Sequence, residues 1–178
     1  MSEVICDKSK SESLSRKKEK ISIAGDNIDF KVDKLIRHIS KVQEACLLLG
    51  KKLIDKGEVE CGINLIALGQ IHDNSKWRGI EWDYLVSGDF NGEAKLAARH
   101  HAETQPHHPE FWKSIDLMPR VYVAEMCCDW LARANEFGTD VWEYVKEKAV
   151  PRYGISERGK TYKWIKEFLD MLLEKRFA

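Results

Sequence analysis

Apolar positions recur along this chain with helical spacing, and no stretch shows the two-residue alternation of a half-buried strand. From about residue 28 to 56, Leu35, Val42 and Leu49 fall seven apart, with Ile36, Ile39, Ala45, Cys46 and Leu53 filling the adjoining stripe. That pattern predicts a helix with one buried face, stopped by Gly57. His38 sits three residues after Leu35 and four before Val42, so it projects toward the core. A second helix, about 62–73, is apolar nearly all round (Ile63, Leu65, Ile66, Ala67, Leu68, Ile71), which predicts a central helix covered on all sides. His72 and Asp73 stand at its C-terminal end, where burial gives way to a cleft.

Residues 74–91 read as a connection with a short helical piece around EWDYL and a turn cluster, SGDFNG, at 87–92. A third helix runs from about 92 to 102, after which Pro106 and Pro109 force an irregular segment carrying His107 and His108. Pro119 suits the first turn of a fourth helix, about 119–136, that ends near Gly138. A short helix at about 139–149 stops before Pro151, and a last one, about 157–174, buries Tyr162, Ile165, Phe168, Leu169 and Leu172. Residues 1–26 are polar and lack apolar periodicity, so they read as a flexible tail; RKKEK at 16–20 as a nucleic-acid or partner-binding arm is the alternative, diluted by nearby acids. The expected fold is all-α, a single-domain helical bundle over 27–178 behind a flexible polar tail, 1–26.

Composition narrows the function classes. At 178 residues, 43% hydrophobic and 33% charged, the chain has the make-up of one soluble globular domain. Lys+Arg and Asp+Glu are both 29, so no broad basic surface for duplex nucleic acid is expected. No apolar run approaches the roughly 18–20 residues of a membrane span, and the N-terminus lacks the apolar core of a secretory signal. A soluble, cytoplasmic protein is expected. Five cysteines, at 6, 46, 61, 127 and 128, form an odd set without C-x-x-C spacing. That argues against a disulfide framework or a thiolate zinc site and for buried thiols acting as small hydrophobes.

The chemistry-bearing residues are imidazoles and acids. All six histidines, at 38, 72, 100, 101, 107 and 108, precede an acid, Asp129, on the apolar fourth helix. Each has an ordinary explanation alone: His38 as a hydrogen-bonded core histidine, His107-His108 as a turn cap. Asp129 is more telling, because a mid-helix aspartate is costly to bury without a partner. A shared metal satisfies the whole set at once, and facing helices commonly build such sites. Asp73, with two oxygens, can bind one ion or bridge two at ~3.5–4 Å. The mixed His/Asp set suits one or two divalent transition metal ions (Fe, Mn, Zn, Ni or Co).

The order His38, His72-Asp73, Asp129 on an all-α chain resembles the HD-domain superfamily of metal-dependent phosphohydrolases. The added His101 and His107/His108 resemble its dinuclear branch, which includes cyclic-dinucleotide phosphodiesterases and diiron oxygenases. HDNSKW, EWDYL, HHPEFW and CCDW together resemble, more narrowly, an HD-like family found in phages and bacteria, over roughly residues 30–135. The resemblance implies an HD-type bundle with His38, His72, Asp73 and Asp129 around a first metal. Asp73 would bridge to a second metal held by His101 and by His107 or His108, with His100 outside the ligand set or exposed. Mononuclear HD nucleotidases often place an acid soon after the HD pair, whereas Lys76 stands here. A lysine there is shared with some dinuclear HD proteins, including oxygenases that use it to contact substrate.

Asp73 and Lys76 are therefore the expected catalytic residues, Lys76 as a phosphate clamp, with a solvated helix-end lysine as the alternative. Arg37, Arg78 and Arg99 are expected substrate-binding cations, with Lys41 and Arg133 as further candidates. Glu110 either orients an imidazole or starts the following helix. Trp77, Trp82, Trp112 and Trp130 are core, or else base-stacking platforms. The expected activity is metal-dependent hydrolysis of a small phosphate ester, foremost a nucleotide. The alternatives are an HD-fold diiron oxygenase cleaving a C–C or C–P bond, and a non-catalytic nucleotide- or protein-binding module. Homo-oligomerisation is left open, no membrane partner is expected, and the compartment would be the host cytoplasm if the chain is phage-encoded.

Overall fold

The computed structural model describes the backbone of residues 8–87 and 93–174, with side chains described for residues 28–87 and 94–174. Its helices are α1 (Lys8–Asp55), α2 (Val59–Ile71), α3 (Gly79–Ser87), α4 (Glu93–Thr104), α5 (Arg120–Phe137), α6 (Val141–Tyr144), α7 (Val150–Tyr153) and α8 (Lys160–Leu173). No strand occurs among the described residues, so the fold is all-α. No helix among them is long and apolar enough to cross a membrane. The chain divides into two units, residues 1–35 and 36–178, and every histidine lies in the second.

Helix α1 begins at Lys8, inside the polar stretch expected to be a tail. Lys, Glu, Arg and Ser sustain a helical backbone well enough; the missing apolar stripe argued against a buried face, which is a different property. Residues 1–7 and, beyond Ser87, the turn expected over 87–92 lie outside the described residues.

In the second unit, α1 buries Val42, Cys46, Leu49 and Leu53 completely. Its partner α2 approaches so closely that glycines stand at the points of nearest contact. A Cβ on Gly50 would lie 2.8 Å from the Gly62 carbonyl oxygen, and one on Gly69 would lie 2.6 Å from Cys46 Cβ. This glycine-lined hairpin brings His38, on α1, beside the residues that follow α2.

Helix α2 is not the central one. Val59, Ile63 and Ile71 are 49%, 55% and 61% exposed. The covered helix is α5, where Val123 through Cys128, Trp130, Ala132 and Ala134 are buried, with α8 and α2 packed against it. Apolar content marks a helix that can be covered; α5 was harder to recognise because it also carries Glu125, Asp129 and Glu136, which the site employs. Its ends follow the expectation, with Pro119 at the N-cap and Gly138 closing the helix in the left-handed region at φ 65. Arg120, in its first turn, donates to Glu58 through Nε and Nη2 (2.9 Å each) and to Glu167 at 2.8 Å, tying the starts of α2 and α5 to α8.

The short helix expected to stop before Pro151 continues to Tyr153 through a π-helical turn, Val145–Ala149. Pro151 sits in the first turn of α7, immediately after that π-helical turn. The buried Cys46, Cys127 and Cys128 are free thiols, as expected.

Candidate metal centre

Six elements bring ligands to one place. His38 comes from α1, His101 from the last turn of α4, and Asp129 from the middle of α5. His72 caps the C-terminus of α2 and Asp73 follows it with φ 57, the one non-glycine residue in the left-handed region among the described residues. Aspartate tolerates that conformation better than most residues. It turns the chain abruptly into the 3₁₀ turn Asn74–Trp77 and leaves the Asp73 carboxylate facing inward, 1% exposed. His107 and His108 arrive on the irregular segment before the 3₁₀ turn Pro109–Phe111.

Asp73 is the hub. Its Oδ1 lies 3.0 Å from His101 Nε2 and 3.6 Å from both His72 Nε2 and His107 Nε2. Its Oδ2 lies 3.7 Å from His38 Nε2 and accepts from Lys76 Nζ at 2.6 Å. His38 Nε2 is 3.0 Å from Asp129 Oδ1. The ligand atoms of His38, His72 and Asp129 lie within 4.8 Å of one another, and so do those of His101, His107 and His108. All the expected ligands therefore converge, His107 and His108 both included. The His107 ring sits between His72 and His108, with centroids 4.4 Å from each. His100, by contrast, is half-exposed and turned away onto Glu81.

Three glutamates that sequence reasoning did not single out set the imidazole orientations. His38 Nδ1 donates to Glu136 Oε1 and His72 Nδ1 to Glu125 Oε1, each at 3.0 Å. His101 Nδ1 donates to Glu81 Oε2 at 2.8 Å, and Ser75 Oγ donates to the same oxygen at 3.0 Å. A carboxylate only accepts, so it fixes the tautomer with the proton on Nδ1 and the lone pair of Nε2 directed into the centre. A signal was present: Glu125 and Glu136 lie four before and seven after Asp129, on the same face of α5. Glu110 does not orient an imidazole. It stands at the start of its 3₁₀ turn and accepts from Arg152 Nη2 at 2.8 Å.

The electrostatics follow from burial and crowding. Burial alone would raise the Asp73 carboxyl, but His101, His72 and Lys76 hold it well below the ordinary 3.8. Asp129 is likewise held low against burial, by His38 and His72. Burial works to lower the His72 pKa, yet Glu125, Asp73 and Asp129 raise it above 6.5. Burial, with neighbouring imidazoles, drives His107 down to about 2 and His108 down to about 4, so both keep neutral rings.

The centre thus concentrates buried nitrogen and oxygen atoms that no protein hydrogen bond meets. Among the described residues, the buried side-chain atoms with no hydrogen-bond partner are Nε2 of His38, His72, His107 and His108, Oδ1 of Asp73 and Asp129, and Glu110 Oε2. All but the last point into the cluster. Each such group costs ~1–3 kcal/mol if left unsatisfied. Water supplies two protons per molecule; a cation meets several lone pairs at once. Metal–ligand bonds of ~2.0–2.2 Å set ligand atoms ~3–4 Å apart, and the 3.0–3.7 Å spacings around Asp73 and Asp129 match. The donor set fits divalent ions in two groups, with Asp73 reaching both.

A cavity of about 800 Å³ opens on the centre. Asp129, His101, His108 and Lys76 form one part of its wall, with Arg133, Arg152, Tyr144 and Tyr153 beside them. Of the expected cations Lys76 lines it; Arg37, Arg78 and Arg99 do not, and all three lie exposed elsewhere. Arg99 pairs with Glu103 at 3.6 Å. Which way a long side chain faces depends on how its helix is packed, and the local pattern around these arginines carries no such information. Trp130 is buried at the cavity, whereas Trp77 is 38% exposed.

No curated protein and no solved structure matches the chain. A family model matches residues 27–174, nearly the whole bundle and every residue of the centre. The chain belongs to that family, a family of unknown function (DUF5662).

Proposed function

We propose that the protein is a metal-dependent phosphohydrolase that cleaves a small phosphate ester at this centre. One observation carries the reading: buried, partnerless Nε2 and Oδ1 atoms of His38, His72, Asp73, His107, His108 and Asp129 converge, while glutamates hold the opposite sides of the His38, His72 and His101 rings. His38, His72 and Asp129 would hold one ion, His101, His107 and His108 a second, and Asp73 would serve both. Such ions supply Lewis acidity, lowering the pKa of water and offsetting charge on a phosphoryl group. The resemblance to HD phosphohydrolases points the same way.

The chain's own groups complete the chemistry. Lys76, anchored on Asp73 at the cavity wall, presents a cation where a phosphate oxygen would arrive. Arg133, tethered to Glu136 at 3.0 Å and 44% exposed, offers a second. Burial raises the Tyr144 and Tyr153 phenols, so both stay protonated at the cavity wall, with Tyr153 hydrogen-bonded to Glu110 and to Tyr144. Glu81, Glu125 and Glu136 keep the imidazole lone pairs aimed inward.

The test has two arms. Phosphate release from mono-, tri- and cyclic nucleotides and simpler esters is measured with Mn, Fe, Co, Ni and Zn, and bound metal is counted by elemental analysis in wild type and Asp73→Ala. Release with at least one metal, and loss of most metal from the variant, are expected; undiminished metal content in Asp73→Ala refutes the reading. A second reading, a diiron oxygenase, draws on the same nitrogen-rich ligands and on Lys76. Substrate-dependent oxygen uptake by the reduced iron form, without phosphate release, would favour it.

A further inference from the structure

The cavity is much larger than a phosphate group needs, and the helices that deliver ligands also build its remaining walls. On α4, Ala94, Ala97, Ala98 and Ala102 line it together with His101, one face of the helix at three- and four-residue spacing. On α5, Trp130, Ala134 and Phe137 continue from Asp129 in the same way. Tyr84 and Leu85 of α3 close another side. At ~1.5 Å per residue, the alanine face extends about 10 Å from His101 to Ala94.

Polar groups gather at the metal end. Lys76 is bound to Asp73, Arg133 to the glutamate that holds His38, and Arg152 to Glu110, two residues after His108. Among the described residues no asparagine, glutamine or serine lines the cavity, and the Thr139 hydroxyl is turned onto the Ala134 carbonyl at 3.5 Å. A nucleobase placed along these alanines would give up water from its N–H and C=O edges without side-chain amides to replace it.

We infer that the site takes a phosphate ester whose organic part is apolar, with the phosphate at Lys76 and Arg133 and the hydrocarbon along the alanine face of α4. This rests on the phosphohydrolase reading for the reaction but not for the binding, and it sets aside the nucleotide expected from sequence.

The experiment measures binding of unreactive n-alkylphosphonates, methyl to decyl, to the Mn-loaded protein by calorimetry. Affinity should rise about fourfold per methylene and level off once the chain exceeds the ~10 Å wall. Ala98 is exposed to the cavity, so Ala98→Trp fills space without entering the core. It should flatten the series while leaving methylphosphonate within twofold. Phe137, 70% exposed at the rim, provides a second variant: Phe137→Ala should weaken only the longest members, by threefold or more. A flat series in wild type overturns the inference, as does a series unchanged by both variants, or an AMP phosphonate analogue that outbinds hexylphosphonate. If the series appears as expected but neither hexyl phosphate nor any other ester releases phosphate, the apolar site stands and the phosphohydrolase reading fails.

Discussion

Glu125 offers the sharpest probe of the centre, because it holds the Nδ1 side of His72, a proposed ligand. Its Oε1 accepts from His72 Nδ1 at 3.0 Å with both side chains at most 5% exposed, and lies 3.6 Å from His107 Nδ1. A hydrogen bond of this charged kind is worth ~1.5–3 kcal/mol, and in metal sites the loss of such a partner weakens the metal by about 10–100-fold. Glu125→Gln keeps an acceptor but removes the charge, so ~10-fold is expected; Glu125→Leu removes both and should approach ~100-fold. Protons oppose the effect. Glu125 also raises the His72 pKa above 6.5, so its removal eases proton competition, and the two influences partly cancel at acid pH. The measurement belongs at pH 8, where proton competition is weaker than at acid pH. Competition of Mn²⁺ against a fluorescent chelator, with helical content checked by circular dichroism, reads the affinity. A folded Glu125→Leu protein within twofold of wild type would show that the Glu125–His72 contact does not serve a metal, and the tautomer argument would fall with it.

Other consequences are independent of metal. A Cβ at Gly62 meets the Gly50 carbonyl and the Ile54 side chain, so Gly62→Ala should cost ~1–3 kcal/mol, seen as a melting temperature lower by about 2–12 °C; an unchanged melting temperature would contradict the α1–α2 seam. Arg120→Ala strips Glu58 and Glu167 of their shared cation and leaves the Phe168 ring uncovered, which should cost ~2 kcal/mol by denaturant titration, modest because the group is partly solvated. Arg120 and Lys56 hold the Glu167 carboxyl below its ordinary 4.5 despite burial. Its contribution is therefore full above that pH and lost as pH falls through the lowered value, and the stability gap between wild type and Glu167→Gln should shrink in the same direction. Burial leaves Cys46, Cys127 and Cys128 without accessible surface and pushes the Cys127 and Cys128 thiols up. None should react with Ellman's reagent at pH 8 until the protein is unfolded.

What could be read from sequence divides along a physical line. Helical period and terminators are local, so the bundle, the stop at Gly57 and the α5 boundaries at Pro119 and Gly138 were legible. The residues that converge were legible for another reason: His38 and Asp129 lie on apolar stripes where an unpartnered polar group is costly, so each announced a partner somewhere in the fold. Glu125 and Glu136 carried the same signal on the same helix face and became conspicuous only beside the imidazoles they hold. Which helix is central, and which arginines reach the cavity, are properties of packing between elements. Exposed Ile63 and Ile71 on α2, and a cavity lined by Arg133 of the candidate arginines and by the unforeseen Arg152 but not by Arg37, Arg78 or Arg99, are the result. The same division explains how α4 and α5 serve two purposes. A helix that commits one face to a ligand commits the residues three and four positions away to the same surroundings. His101 and Asp129 therefore determine where the alanines of α4 and Trp130, Ala134 and Phe137 of α5 must look. The apolar wall and the metal centre are one consequence of helical geometry, and a substrate that uses one must lie against the other.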